Sequence, residues 1–216
     1  MSKIIVALDG MTWSKSLHMA MQLKECVWGF KLNDLLLEYG VSAVREFKKV
    51  GPVMADPKLH DIPNTVGNGV RRLHAAGADL ITVHASGGLD MLTNAVALAG
   101  EAKILAVTVL TSLNDHGCEY SYGGNVRNTV RRFMDLANRA GVAGVVCSPQ
   151  EEDLAAEVPN LIKVVPGIRL PDQRVDDQAR TGLPKWANYV VVGRPITQAA
   201  DPIAAAHEIN KALEAA

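Results

Sequence analysis

PVMADPKLHDIPNTVGNGVRRLHAAGADLITV, residues 52–83, contains one complete unit of the fold. Pro52 to Asp56 is an apolar run that ends on a charge. Apolar residues then return three and four positions apart from Val66 to Ala76, the spacing of a helix with one buried face. Asp79 to Val83 is again a strand, rich in β-branched residues. Strand, helix, strand in about 30 residues is the βαβ unit of a parallel sheet.

The same alternation extends in both directions. Strand runs are predicted at Ile4 to Leu8, Val27 to Lys31, Pro52 to Asp56, Asp79 to Val83, Lys103 to Val109, Gly144 to Cys147, Leu161 to Val165 and Tyr189 to Val192. Near-continuous apolar runs of this kind suit parallel strands covered on both faces. Leu35 to Phe47 and Val126 to Ala140 carry the helical spacing as clearly as Val66 to Ala76. Eight such units predict an α/β fold, a single (β/α)8 TIM barrel spanning residues 1–216 as one catalytic domain. A doubly wound open sheet is the alternative, since periodicity does not say whether the first strand pairs with the last. The connection from Gln178 to Tyr189 is brief and holds Gly182 and Pro184, so a short turn is expected there instead of a full seventh helix.

With 22 Lys and Arg against 23 Asp and Glu the net charge is −1, so no basic excess draws in nucleic acid or an anionic membrane. A small soluble partner is the expectation. Three cysteines, Cys26, Cys118 and Cys147, are odd in number and share no C-x-x-C spacing, which argues against a disulfide framework or a zinc site and for a reducing cytoplasm. The apolar run from Ile4 to Leu8 is too short for a signal sequence or a membrane span, and export is not expected.

In a (β/α)8 barrel the chemistry collects at the C-terminal ends of the strands. Those ends are polar here: Asp9, Lys31, Asp56 with Lys58, His84, Thr111, Ser148, Arg169 and Arg194 end or follow strands one to eight. In extended chain, residues two apart share a side, so Asp56 and Lys58 are expected to point together into the mouth, where Lys31 can join them. Two carboxylates and two ammonium groups packed this way hold each other ionised and meet a substrate anion with fixed charge. A plainer reading makes Asp56 and Lys58 a rim ion pair and Asp61 the cap of the next helix. Pro166-Gly167-Ile168-Arg169 and Gly193-Arg194 follow strands seven and eight, where barrels often hold phosphate, and together they point to a phosphorylated substrate. The six histidines carry no metal spacing, and His60 and His84 read as structural. Met19, Met21 and Leu23 read as helix packing.

The string D-x-K-x-x-D-I-P-N-T at Asp56 to Thr65 resembles the signature of the orotidine 5′-monophosphate decarboxylase family. Ala7-Leu8-Asp9, Phe30-Lys31, Leu110-Thr111-Ser112, Pro166-Gly167-Ile168-Arg169 and Val192-Gly193-Arg194-Pro195 resemble it too, in the right order from residue 7 to 195. The resemblance implies cofactor-free decarboxylation of orotidine 5′-monophosphate to UMP, in pyrimidine biosynthesis, by a homodimer with shared active sites. It implies that Asp9 binds ribose and that Lys31, Asp56, Lys58 and Asp61 form an alternating charge array, with Lys58 as proton donor. Asp61, Ile62 and Thr65 would reach into the partner subunit's site. Thr111 would lie near the pyrimidine, Arg169 and Gln178 in a loop over the phosphate, and Gly193 with Arg194 on the phosphate itself. Pro57 departs from the pattern, which has an apolar, unrestricted residue there. The short stretch after Gln178 leaves Gln173 as its alternative.

Two rivals differ in class. A magnesium-dependent sugar-phosphate decarboxylase or aldolase on the same scaffold also carries D-x-K-x-x-D, but Lys31 occupies the place where such a metal would want a carboxylate. A non-catalytic nucleotide-binding protein needs no lysine between two aspartates.

Overall fold

The computed structural model describes residues 2–168 and 182–215. Within them the chain runs β1 (Ile4–Ala7), α1 (Trp13–Leu23), β2 (Gly29–Leu32), α2 (Asp34–Tyr39), α3 (Val41–Lys48), β3 (Val53–Leu59), α4 (Pro63–Ala75), β4 (Leu80–His84) and α5 (Leu89–Ala97). The second half continues β5 (Lys103–Val107), α6 (Asp115–Tyr122), α7 (Val126–Arg139), β6 (Gly144–Val146), α8 (Glu152–Ala156), β7 (Ile162–Val165), β8 (Tyr189–Val192), α9 (Arg194–Thr197) and α10 (Pro202–Glu214). All neighbouring strands pair in parallel, and β8 returns to β1 through Ile4 with Val190, Ile5 with Val191 and Val6 with Val192. First strand pairs with last, so the sheet is a closed (β/α)8 barrel and the open-sheet alternative falls.

Strand alternation divides the apolar side chains between two cores. Ile5, Met54, Leu80, Leu105, Val164 and Val191 fill the barrel lumen, with the tilted rings of Trp28 and Tyr189, centroids 4.7 Å apart, beside them. Their strand neighbours face the helices: Ile4, Val6, Phe30, Val53, Ala55, Ile81 and Val83 join Val44, Phe47, Val70, Leu73, Val130 and Phe133 in the larger outer core. The lumen parity decides what reaches the mouth. Two residues beyond Ala7 comes Asp9, two beyond Gly29 comes Lys31, and two beyond Met54 and Leu80 come Asp56 and Thr82.

Three expectations need correction. Leu35 to Phe47 is two helices, because Gly40 takes φ 58° and ψ −148°, a conformation that breaks the helical ladder and that glycine alone adopts freely. β3 runs past Asp56 to Leu59, but not as a plain extended strand. Ala55 pairs with Ile81 and Leu59 with Val83, so β3 bulges outward opposite Thr82. Asp61 does not cap α4 either, since its Oδ1 accepts the N–H of Ile62 at 2.6 Å and the helix opens on Pro63 with no side-chain cap. Where side-chain caps are made, Asn114 opens α6, Asn125 opens α7 and Asp201 opens α10.

After β7 the described part of the connection, residues 182–188, turns through Lys185 and Trp186 without a helix. Among the described residues no helix is long and apolar enough to cross a membrane.

Candidate active site

The barrel's C-terminal mouth opens into a cavity of about 620 Å³. Asp9, Lys31, Asp56 and Lys58 line one side, Val109, Leu110 and Thr111 another, and Pro166, Gly167, Gly193 and Arg194 a third. Its volume suits a mononucleotide-sized ligand, within the usual range of about 300–1,000 Å³ for small-molecule sites.

Charges alternate along the first side. Lys31 Nζ lies 2.7 Å from Asp9 Oδ2 and 3.1 Å from Asp56 Oδ2, and Lys58 Nζ donates to the same Asp56 Oδ2 at 2.8 Å. The second oxygen, Asp56 Oδ1, accepts from the hydroxyl of Thr82 at 2.8 Å. Lys31 and Asp56 are buried, with 9% and 6% of their side chains exposed, whereas Asp9 and Lys58 open to the cavity at 46% and 32%. Burial alone raises the Asp56 carboxyl, but the charges of Lys31 and Lys58 and the hydrogen bonds of Lys58 and Thr82 outweigh it and hold the group below the usual aspartate value. Burial likewise lowers Lys31, and the carboxylates of Asp56 and Asp9 reverse it, holding the ammonium above the usual lysine value. Both groups stay charged.

Lys58 reaches this position by an unusual backbone. Its φ is +49°, and among the described residues every other positive φ belongs to glycine. A left-handed lysine costs on the order of 1–3 kcal/mol and persists only where its surroundings hold it. Pro57, whose ring fixes its own φ, immediately precedes it, and the Lys58 N–H donates to Thr82 Oγ1 at 3.0 Å. Asp56 and Lys58 therefore converge through a bulge, where plain strand alternation was expected.

The backbone on either side of Lys31 is clamped as well. Asn33 Nδ2 donates to the carbonyl of Asp56 at 2.7 Å, and Asp34 Oδ2 accepts from the N–H of Gly10 at 2.6 Å. One segment after β2 thus holds the backbone of Asp56 and of Gly10, the residue next to Asp9. Thr82, Asn33 and Asp34 were missed from sequence. Two signals could have found them: a hydroxyl at a lumen position in an otherwise apolar strand, and two polar residues directly after Lys31.

Other expected residues lie elsewhere. Asp61, Ile62 and Thr65 are exposed at the start of α4 and do not line this chain's cavity, Ile62 being 67% exposed. Ser148 is buried with its N–H held by Glu151, and Cys147 lines the cavity in its place. His84 lies beside His60, their tilted rings 5.6 Å apart, outside the lining. Burial, then the charges of His60 and Lys58, lower it below the usual histidine value against the pull of Asp56. Arg169, Gln178 and the alternative Gln173 fall outside the described residues.

The charge array has a pH signature. Asp56 is lowered on folding, so its contribution to stability is present above the unfolded carboxyl value of about 3.9 and is lost as pH falls through the folded value. Lys31 is raised, so its contribution is complete below about 10.4 and is lost as pH rises through the folded value. Asp56→Asn should therefore lower the unfolding free energy by about 3 kcal/mol near neutrality, with the deficit flat from about pH 5 to 9 and shrinking outside both limits. Urea unfolding of both proteins across pH measures it, and a deficit that grew in acid would contradict the assignment.

The family model described as orotidine 5′-phosphate decarboxylase / HUMPS family matches residues 2–209. Orotidine 5′-phosphate decarboxylase of Novosphingobium aromaticivorans is 39% identical over 220 residues, covering 97% of this chain and 98% of its own. The enzyme of that name from an Anaeromyxobacter species is 41% identical over 222 residues, covering 98% of both chains. Among solved structures, orotidine 5′-phosphate decarboxylase from Lactobacillus acidophilus superposes with TM-score 0.83 at 30% identity, covering 100% of both chains. A match across nearly the whole length, with the charged string inside it, settles the family: the chain belongs to the orotidine 5′-phosphate decarboxylase / HUMPS family.

Proposed function

We propose that the protein converts orotidine 5′-monophosphate to UMP and CO2, the last step to UMP in pyrimidine biosynthesis, without a metal or organic cofactor. The observation that carries this reading is the Asp9–Lys31–Asp56–Lys58 array. Its centre is a buried ammonium between two carboxylates, where a divalent cation would meet like charge. That disfavours the magnesium-dependent alternative. A passive nucleotide-binding site has no use for a strained lysine beside a buried aspartate.

The chemistry follows from charge. The bond from C6 of the pyrimidine to the carboxylate breaks, CO2 leaves, and the electron pair stays on C6 with no adjacent carbonyl to take it up. Lys58 supplies the compensation: its ammonium faces the developing negative charge and then gives C6 a proton, and the neutral amine regains one from solvent. Asp56 sits beside the departing carboxylate. Two like charges about 4 Å apart at an effective dielectric of about 20 repel by roughly 4 kcal/mol, a repulsion relieved as CO2 departs. Asp9 binds ribose, Thr111 faces the pyrimidine, and Gly193 with Arg194 grips the phosphate.

The reading includes a homodimer. Asp61, Ile62 and Thr65 are exposed and lie outside the lining of their own cavity, and Ile62 would offer an apolar anchor for a second copy whose site these residues complete. The enzyme would work in a reducing cytoplasm, in keeping with its buried, free cysteines, and its net charge of −1 gives no reason to expect nucleic acid or membrane partners.

Lys58→Ala should abolish turnover while the folded variant still binds UMP, because Lys31 continues to neutralise Asp56. Retention of more than about a tenth of wild-type kcat, a cost under about 1.4 kcal/mol, would remove Lys58 as proton donor. Mixing inactive Lys58→Ala and Asp61→Ala subunits should rebuild activity, since the hybrid holds one site with both residues intact. No recovery, with hybrids verified by native mass spectrometry, would contradict the shared site.

A further inference from the structure

We infer that Thr82 is a positioning residue for the decarboxylation proposed above, its hydroxyl tying the backbone of Lys58 to the carboxylate of Asp56 and so setting where the ammonium points. Thr82 lies on β4 with no exposed surface and does not line the cavity, so it acts through its neighbours and not on a ligand.

The direction of its hydrogen bonds is forced. A hydroxyl has one proton to give and lone pairs to receive. The Lys58 N–H can only donate, so Thr82 Oγ1 accepts it at 3.0 Å, and the hydroxyl proton goes to Asp56 Oδ1 at 2.8 Å. Each bond does a separate task. The first satisfies an N–H that the bulge between Ala55 and Leu59 has removed from the strand ladder, at the one described non-glycine residue with positive φ. The second occupies the Asp56 oxygen that neither lysine takes, which fixes the carboxylate plane and leaves Oδ2 aimed at both ammonium groups.

Loss of the hydroxyl would leave the Lys58 N–H without its partner and the left-handed turn without its restraint. The backbone would relax toward extended geometry, and Asp56 would be free to rotate. A displacement of about 1 Å at the reacting group can cost on the order of 100-fold in rate. A merely space-filling threonine would lose nothing on replacement by valine beyond some stability.

The test compares Thr82→Val, which keeps the branched shape, with Thr82→Ser, which keeps the hydroxyl. Thr82→Val should lower kcat by about 10- to 100-fold with KM for orotidylate within about threefold, and Thr82→Ser should recover at least about a third of wild-type kcat. A valine variant within about threefold of wild-type kcat, a loss confined to KM, or a serine variant no better than valine would overturn the inference. If the wild-type protein failed to turn over orotidylate, the proposed function would fail, and crystal structures would decide this point alone. Lys58 leaving the left-handed region in Thr82→Val supports the inference; φ still near +49° with Nζ on Asp56 overturns it.

Discussion

One carboxylate oxygen, Oδ2 of Asp56, is within 3.1 Å of two ammonium groups, and the arrangement of the mouth depends on that shared contact. Withdrawing a carboxylate from water costs several kcal/mol, and breaking a buried pair from one side costs about 3–5 kcal/mol. Asp56 avoids this cost by being saturated, with Lys31 and Lys58 on one oxygen and Thr82 on the other. Lys31 is itself returned to balance by Asp9. The array thus balances two formal negative charges against two positive ones, with its buried pair, Lys31 and Asp56, held ionised. It presents two partly exposed ends to the cavity, one negative at Asp9 and one positive at Lys58.

The barrel is what makes such an array possible. Closing eight parallel strands through β8 and β1 brings lumen-facing positions of β1 to β4 into one arc, and the lumen parity of Ile5, Gly29, Met54 and Leu80 continues into Asp9, Lys31, Asp56 and Thr82. Lys58 departs from this regularity. It reaches Asp56 through a bulge and a left-handed residue, with Pro57 on one side and Thr82 holding the amide on the other. Gly167, Gly193 and Arg194, which follow β7 and β8, line the same cavity beyond the Asp9 end of the array. On the function proposed above, binding energy gathered there would help hold the reacting carbon against Lys58.

Sequence reading recovered the eight strands because apolar runs between amphipathic segments report burial directly, whereas closure was inferred from the count of eight units and is seen only in the pairing of β8 with β1. It located Asp9, Lys31, Asp56 and Lys58 because strand ends in a barrel face one mouth. What it missed depends on three-dimensional register. Gly40 splits one expected helix, since a period of three and four continues across a broken backbone. The bulge at Lys58 is invisible to a period-two pattern that gives the same side-chain direction for a different backbone. Thr82 looks like any β-branched strand residue until β3 and β4 are set side by side. Asp61 does not cap α4, because the N-cap position falls on Ile62 and the Asp61 carboxylate, one residue earlier, accepts the Ile62 N–H instead.

The function proposed above relies on fixed protein charge in place of a bound divalent cation, and Lys31 is the residue on which that choice rests. An ammonium anchored at 2.7 Å to Asp9 needs no recruitment and no displaced water when charge appears on the substrate. Following the loss of orotidylate absorbance with the protein in excess EDTA measures most directly whether that charge suffices. The rate should equal the rate without chelator. Activity that EDTA abolishes and Mg2+ restores would contradict the fixed-charge mechanism.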